Sequence, residues 1–252
     1  MTKPAIWLLL LSAISIFCHP TAQARDLTAS VAFIPLHSEQ GRDGAPHGGF
    51  IELIRAMDNI YIDGNITIEQ YPFKRSINNV LNRSADFHIP LVKLDHIPEE
   101  SLPFAYASKP ITKVSFVLYT RTGQSSSVLQ NPRNHSIETQ RGHEHFFPFP
   151  VSGTDSVRQG IRKVLSGRSD GFIMEQEAVD DHIRKNKFKT IERALYATWD
   201  SCFVIAKEEK GKQLDGILSE LLQALEDSGQ LKQITDTIHQ PYLDWQPVDM
   251  GW

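Results

Sequence analysis

From residue 25 onward, short alternating apolar runs trade places with stretches whose apolar positions recur every three or four residues. Residues 29–36 are rich in apolar and β-branched side chains and predict a strand. A polar loop over 38–49 follows, and Phe50, Leu53, Ile54 and Met57 then fall at helical spacing. Residues 66–71 alternate as a strand, Ile77, Val80 and Leu81 mark a short helix, and 86–92 form a third strand. This βαβαβ order predicts a parallel sheet with right-handed crossovers. Residues 93–108 are Pro-rich and read as irregular.

A second set of elements follows. Residues 112–120 predict a long strand, 123–134 a surface loop and 136–140 a short strand. Val157, Ile161, Val164 and Leu165 predict a helix, with Thr154 or Ser152 as its cap and Gly167 as its end. A buried strand over 171–174, a helix over 178–185 and a strand over 203–207 come next. Leu214, Leu218, Leu221, Leu222 and Leu225 form the stripe of a long helix closed by Gly229, and Leu231, Ile234 and Ile238 mark a last one. Two α/β units arise, with chain crossings near 109–118 and 192–203 that are both strand-like.

Ahead of these elements, Lys3 precedes an apolar run over 5–18, and a polar stretch ends Ala22-Gln23-Ala24. The run is shorter than the roughly 20 residues of a membrane span, and small-x-small suits a signal peptidase, so a leader cleaved after Ala24 is expected. Phe17 before Cys18 is too large for lipoprotein processing. Without the leader, 25 basic residues face 30 acidic ones, a net of −5. No Lys/Arg block stands out, which excludes a nucleic-acid binder of the usual basic kind. Cys202 alone remains, so no internal disulfide forms, and its apolar neighbours predict a buried, inert thiol.

Four passages, taken in order, resemble the family 3 periplasmic solute-binding proteins, which include amino-acid-binding components of ABC transporters. His47-Gly48-Gly49-Phe50-Ile51-Glu52 looks like the Gly-Phe-led first helix. Tyr71-Pro72-Phe73-Lys74-Arg75 through Ala85-Asp86 looks like the segment entering the third strand, with Arg83-Ser84 where a glycine is usual. Gly160 to Glu175, with Leu165 to Ile173 at its end, looks like the helix, turn and strand of the second lobe, and residues 214–234 look like the C-terminal helical pair. The resemblance implies an α/β, periplasmic binding protein type II-like fold, with two lobes joined by a two-stranded hinge that shuts on a small polar solute. Lobe 1 is expected over 25–110 plus 200–252, and lobe 2 over 111–199. The expected protein is a monomer in the periplasm, with an inner-membrane permease or receptor as partner.

The resemblance also frames the candidate ligand contacts. The family's carboxylate-clamping arginine has no counterpart in Lys93-Leu94-Asp95-His96-Ile97-Pro98-Glu99-Glu100-Ser101, which argues against ordinary α-amino-acid binding. Glu175 falls where the family places an acidic group for the ligand's amine. Arg141 and His143 stand in for a helix end that binds anions. Phe33, His37, Phe73, Tyr106 and Trp199 are candidate cleft walls, with Arg75 beside them, since aromatic faces suit a flat or apolar ligand part. His143-Glu144-His145 lacks the spacing of a zinc site, so neither metal nor other cofactor is expected. No nucleophile elbow, phosphate loop or dinucleotide fingerprint is present, and no catalytic residue is assigned. Two other readings share the scaffold: a sensor module for signalling, and a dehydratase-like enzyme using Glu175 as acid or base.

Overall fold

The computed structural model describes residues 25–250; the expected leader and its cleavage site lie outside the described residues. The first unit runs β1 (Leu27–Ala32), a small hairpin β2 (Glu39–Gln40) and β3 (Pro46–His47), α1 (Gly49–Ile60), β4 (Ile66–Tyr71), α2 (Phe73–Leu81), β5 (Phe87–Val92) and β6 (Ala105–Tyr106). The second runs β7 (Thr112–Arg121), α3 (Ser125–Gln130), β8 (Ile137–Gln140), β9 (Ser152–Thr154), α4 (Val157–Leu165), β10 (Gly171–Glu175) and α5 (Gln176–Asn186). The chain closes with β11 (Ile191–Ile205), α6 (Glu209–Asp227) and α7 (Gln230–Thr235). Among the described residues no helix is long and apolar enough to cross a membrane.

The βαβαβ expectation holds: β4 and β5 both pair parallel to β1. One continuous sheet then runs β4-β1-β5-β11-β7-β10-β8-β9, with β6 added to β11. Its middle is the antiparallel pair β7 and β11, which runs from Ile191 opposite Arg121 to Ser201 opposite Thr112 with one shift of register between Leu195 and Ala197. The C-terminal part of β11 also pairs with β5, and β7 also pairs with β10. These two long strands join an α/β lobe on each side.

Three of the four apolar cores among the described residues follow from the periodicities. Phe50, Leu53, Ile54 and Met57 on α1 are fully buried against Leu27, Val31, Phe87 and the α6 leucines. On β7, Val114, Phe116 and Leu118 face one side, with Ile173 and Trp199. Val117 and Tyr119 face the other, with Phe172, Ile161 and Ile183. That is the two-residue alternation of a strand buried on both faces. Cys202 is buried, and burial pushes its thiol up to about 12.

Several local expectations need correction. Residues 123–134 hold α3, because Val128 is buried against the Phe116 core and anchors a short helix. Ser152 and Thr154 do not cap α4; they lie in β9, paired with β8, and Ser156 is the cap, its Oγ accepting from Gln159 N at 3.2 Å. The strand expected at 203–207 is the end of β11, which begins at Ile191. Its first half reads weakly because one side faces outward and a bulge separates Leu195 from Ala197.

Candidate functional site

Parallel strands deliver their carboxyl ends to one place, where loops from both lobes can converge. From lobe 1 come residues 33–35 after β1, residues 72–74 after β4, Ile77 and Asn78 of α2, and Pro90 and Val92 of β5. From lobe 2 come residues 140–146 at and after β8, residues 155–157 after β9, and Met174 and Glu175 ending β10. Together they enclose a cleft of about 930 Å³, at the upper end of the roughly 300–1,000 Å³ typical of small-molecule sites.

The walls are aromatic. Phe73 meets His88 edge-on at 5.6 Å and His143 at 6.2 Å. Phe116 meets His143 at 6.4 Å, and Phe146 lies 4.7 Å from the same ring. His143 is thus boxed by three phenylalanines from both lobes. Burial pushes its pKa down to about 4, so the imidazole is neutral at physiological pH. Its Nδ1 is buried without a hydrogen-bond partner and lies in the cleft wall. Lys74, Asn78 and Gln140 add polar groups.

The charged residues of the lobe 2 wall are partly engaged. Arg141 Nε donates to Asp155 Oδ1 at 2.8 Å, both side chains being exposed. Gly142 N donates to Glu144 Oε2 at 2.6 Å, and backbone hydrogen bonding holds that carboxyl below its usual range. Glu175 lies 3.5 Å from Nε2 of His37 across the lobe boundary. Burial raises the Glu175 pKa, yet the facing histidines more than offset it, so the carboxyl stays ionised. The sequence-based candidates therefore divide. Phe33, Phe73, Arg141, His143 and Glu175 line the cleft, and His37 stands behind Glu175, 2% exposed.

Three candidates sit elsewhere. Arg75 stacks over the Tyr71 ring at 5.0 Å, outside the cleft lining. Tyr106 is buried with Phe104, Leu91 and Cys202, its hydroxyl donating to Val92 O at 3.0 Å. Trp199 is buried behind Phe116, 4.8 Å from that ring. Phe116, Phe146, Lys74, Asn78 and Gln140 were missed. Phe116 and Gln140 were legible in part, standing in predicted strands whose register decides which side chains face inward. The stretch after β5 supplies no cleft residue beyond Val92; its Lys93 Nζ pairs with Glu99 Oε2 at 2.9 Å.

Under Phe73 lies an ordered chain of buried hydrogen bonds. His88 Nε2 is 3.0 Å from Pro90 O, so Nε2 carries the proton and donates. Nδ1 then accepts from Ser76 Oγ at 2.7 Å, Ser76 accepts from Ser30 Oγ at 2.9 Å, and Asn79 Nδ2 donates to Ser30 Oγ at 3.3 Å. Burial pushes the His88 pKa down to about 3. The unfolded chain therefore takes up the proton first as pH falls, and the stability due to neutral His88 is full above the unfolded pKa of about 6.5. It is lost as pH falls towards the folded value. Between pH 7 and 4.5 the stability gap between the wild-type protein and His88→Gln should shrink by about 2–3 kcal/mol. Urea unfolding of both proteins at several pH values checks this, and a gap independent of pH contradicts it.

No family model matches the chain, and a comparison with curated proteins returned no match. Solved structures do match. A histidine kinase sensor domain described as similar to periplasmic binding proteins superposes with a TM-score of 0.67 at 16% identity, over 84% of this chain and 95% of that one. The arginine-, lysine-, histidine-binding protein ArtJ from Geobacillus stearothermophilus gives 0.63 at 14% identity, over 87% and 98%. The ancestral amino-acid-binding protein AncCDT-1, a precursor of cyclohexadienyl dehydratase, gives 0.62 at 13% identity, over 85% and 95%. The chain has the fold of the periplasmic binding proteins: two α/β lobes about a two-stranded connection.

Proposed function

We propose that the protein is a periplasmic solute-binding protein that captures a small polar molecule in the interlobe cleft. The observation that carries this reading is the cleft itself, walled from both lobes by Phe33, Phe73, Phe116 and Phe146, with Lys74, Asn78, Gln140 and neutral His143 at hand. Such a wall fits a solute with a flat apolar part and hydrogen-bonding ends. Lobe 1 spans 25–110 plus 200–252 and lobe 2 spans 111–199, with β7 and β11 as the hinge. A solute that touches both lobes binds the closed form better and shifts the balance towards it by that difference in affinity.

The protein performs no covalent chemistry in this reading. It is exported with its leader cleaved after Ala24, acts as a monomer, and hands its solute to an inner-membrane permease or receptor. The comparison with ArtJ supports a binding role; among the described residues Arg141 is the arginine of the cleft lining, and its Nε is already engaged by Asp155. A second reading, a ligand-binding sensor module, draws support from the likeness to the histidine kinase sensor domain.

The test is a thermal-shift screen of the purified protein against amino acids, polyamines, organic acids and sugars. A true ligand at a hundred times its dissociation constant adds about 2.7 kcal/mol of stability. Its binding should fall at least about tenfold in Phe73→Ala, the loss of roughly 1.4 kcal/mol of contact. A ligand whose affinity is unchanged by Phe73→Ala binds elsewhere and sinks the assignment of this cleft.

A further inference from the structure

We propose that His37, Glu175, Glu177 and His239 form a binding site for a divalent transition-metal ion of the zinc class, which clasps the two lobes together. It goes beyond the solute-binding reading and does not depend on what fills the cleft. It departs from the sequence-based expectation of no metal, which rested on local spacings and on the stretch from His143 to His145.

The four residues come from four separate places in the chain. His37 follows β1 and His239 follows α7; both imidazoles pack against Phe50 of lobe 1, at 6.1 and 6.0 Å. Glu175 ends β10 and Glu177 stands in the first turn of α5, on lobe 2. One ligand atom from each lies within 4.8 Å of every other. His37 Nε2 to Glu175 Oε1 is 3.5 Å, and His239 Nδ1 to Glu177 Oε2 is 3.4 Å. Bonds of about 2.0–2.1 Å to a tetrahedral zinc set its ligand atoms roughly 3.3–3.4 Å apart, so two edges of the tetrahedron are already formed.

The cluster is also unsatisfied as it stands. Both nitrogens of His37, Nδ1 of His239 and Oε2 of Glu177 are buried without a hydrogen-bond partner. The histidine side chains are only 2% and 4% exposed. Buried polar groups are nearly always paired, and several orphans at one point ask for one common partner. Distances of 3.4–3.5 Å are too long for the charge-assisted hydrogen bonds that bare His–Glu pairs make, at about 2.7–2.9 Å. A single dication answers His37 Nε2, His239 Nδ1 and Glu177 Oε2 together. Two neutral imidazoles and two carboxylates balance its charge.

The ligand set selects the metal. Two imidazole nitrogens favour zinc, cobalt, nickel or copper over magnesium and calcium, which take oxygen. One outer contact is present as well: Gln240 N donates to Glu177 Oε1 at 2.9 Å and orients that carboxylate. With two ligands on each lobe, the ion resists opening of the cleft that Glu175 and His239 also line.

The test is calorimetric titration of zinc chloride into the tag-free, chelator-treated full chain. The expected finding is one zinc per chain, with magnesium not bound. Glu177→Gln and His239→Gln should each weaken zinc at least as much as the roughly 10–100-fold cost of losing an outer-shell partner. Cobalt bound to the unmutated chain should show the intense visible bands of four-coordinate geometry, a readout that needs no variant. Absence of stoichiometric binding, zinc affinity unchanged in both variants, or a weak six-coordinate cobalt spectrum overturns the site and leaves two His–Glu ion pairs.

Discussion

Arg193→Met should lower the unfolding free energy by about 3–5 kcal/mol, the cost of leaving the other member of a buried ion pair uncompensated. Arg193 stands on β11, 1% exposed. Its Nη2 lies 3.1 Å from Asp180 Oδ2 and donates to Gln176 Oε1 at 2.9 Å. Burial lifts the Asp180 carboxyl to about 6 against the pull of Arg193, so the pair is still ionic at neutral pH. Tyr119 Oη donates to Asp180 Oδ1 at 2.7 Å and completes the buried group.

The same guanidinium lies 4.5 Å from the Tyr242 ring centre and 4.2 Å from that of Trp245, and Nη1 donates to Leu243 O. Gln246 bonds both the N–H and the carbonyl of Arg193, each at 2.9 Å. One residue of lobe 2 therefore fastens the segment that follows α7, so its removal frees more than a salt bridge. Methionine keeps the apolar stem and leaves Asp180 alone in a dry place. Arg193→Met/Asp180→Asn should then recover part of the loss, as coupled neighbours do. Denaturant unfolding checks both, and a cost below about 1 kcal/mol for the single change, the size expected of an exposed pair, contradicts this picture.

Trp199→Ala should cost a similar amount, about 3–5 kcal/mol, as the truncation of a large buried aromatic does. Trp199 is 5% exposed and packs among Phe116, Tyr196, Phe147 and Phe146 at centroid distances of 4.8, 6.0, 6.3 and 6.4 Å. It supports the cleft wall from behind. The variant should lose stability in proportion to the cavity it leaves, whereas Phe73→Ala, at the surface of the cleft, should mainly lose solute. Parallel denaturation and binding curves separate the two. A Trp199→Ala protein of normal stability with abolished binding would return Trp199 to the role of direct contact.

Trp199 also illustrates what a sequence can and cannot say about such a site. The α1 stripe from Phe50 to Met57 and the strand at 66–71 obey the periods of a helix and a strand, so the parallel half of the sheet was legible. So were the cleft residues that directly follow strands β1, β4 and β8, namely Phe33, Phe73, Arg141 and His143, because parallel strands must end together. Side choice was not. Tyr106 turns into a core of its own, whereas Trp199 and Phe116 share one face of the β7–β11 pair and one core, and only Phe116 reaches the cleft lining. Arg75 could have turned either way until Tyr71 took its guanidinium.

The pairing of His37 with Glu175 and of His239 with Glu177 was the least legible feature. No short spacing joins them; the chain must first build both lobes and fold the segment after α7 back beside β1. Likewise, β11 hid its first half because partly exposed positions and a bulge interrupt its alternation, although the crossing there was expected to be strand-like.

The closure of two lobes on a solute is tested most directly by small-angle X-ray scattering of the purified protein with and without a ligand found in the screen. Saturating ligand should reduce the radius of gyration in the wild-type protein, and Phe73→Ala should need about tenfold more ligand to reach the same compaction. Saturable binding with a radius of gyration that does not change would contradict capture by closure about β7 and β11.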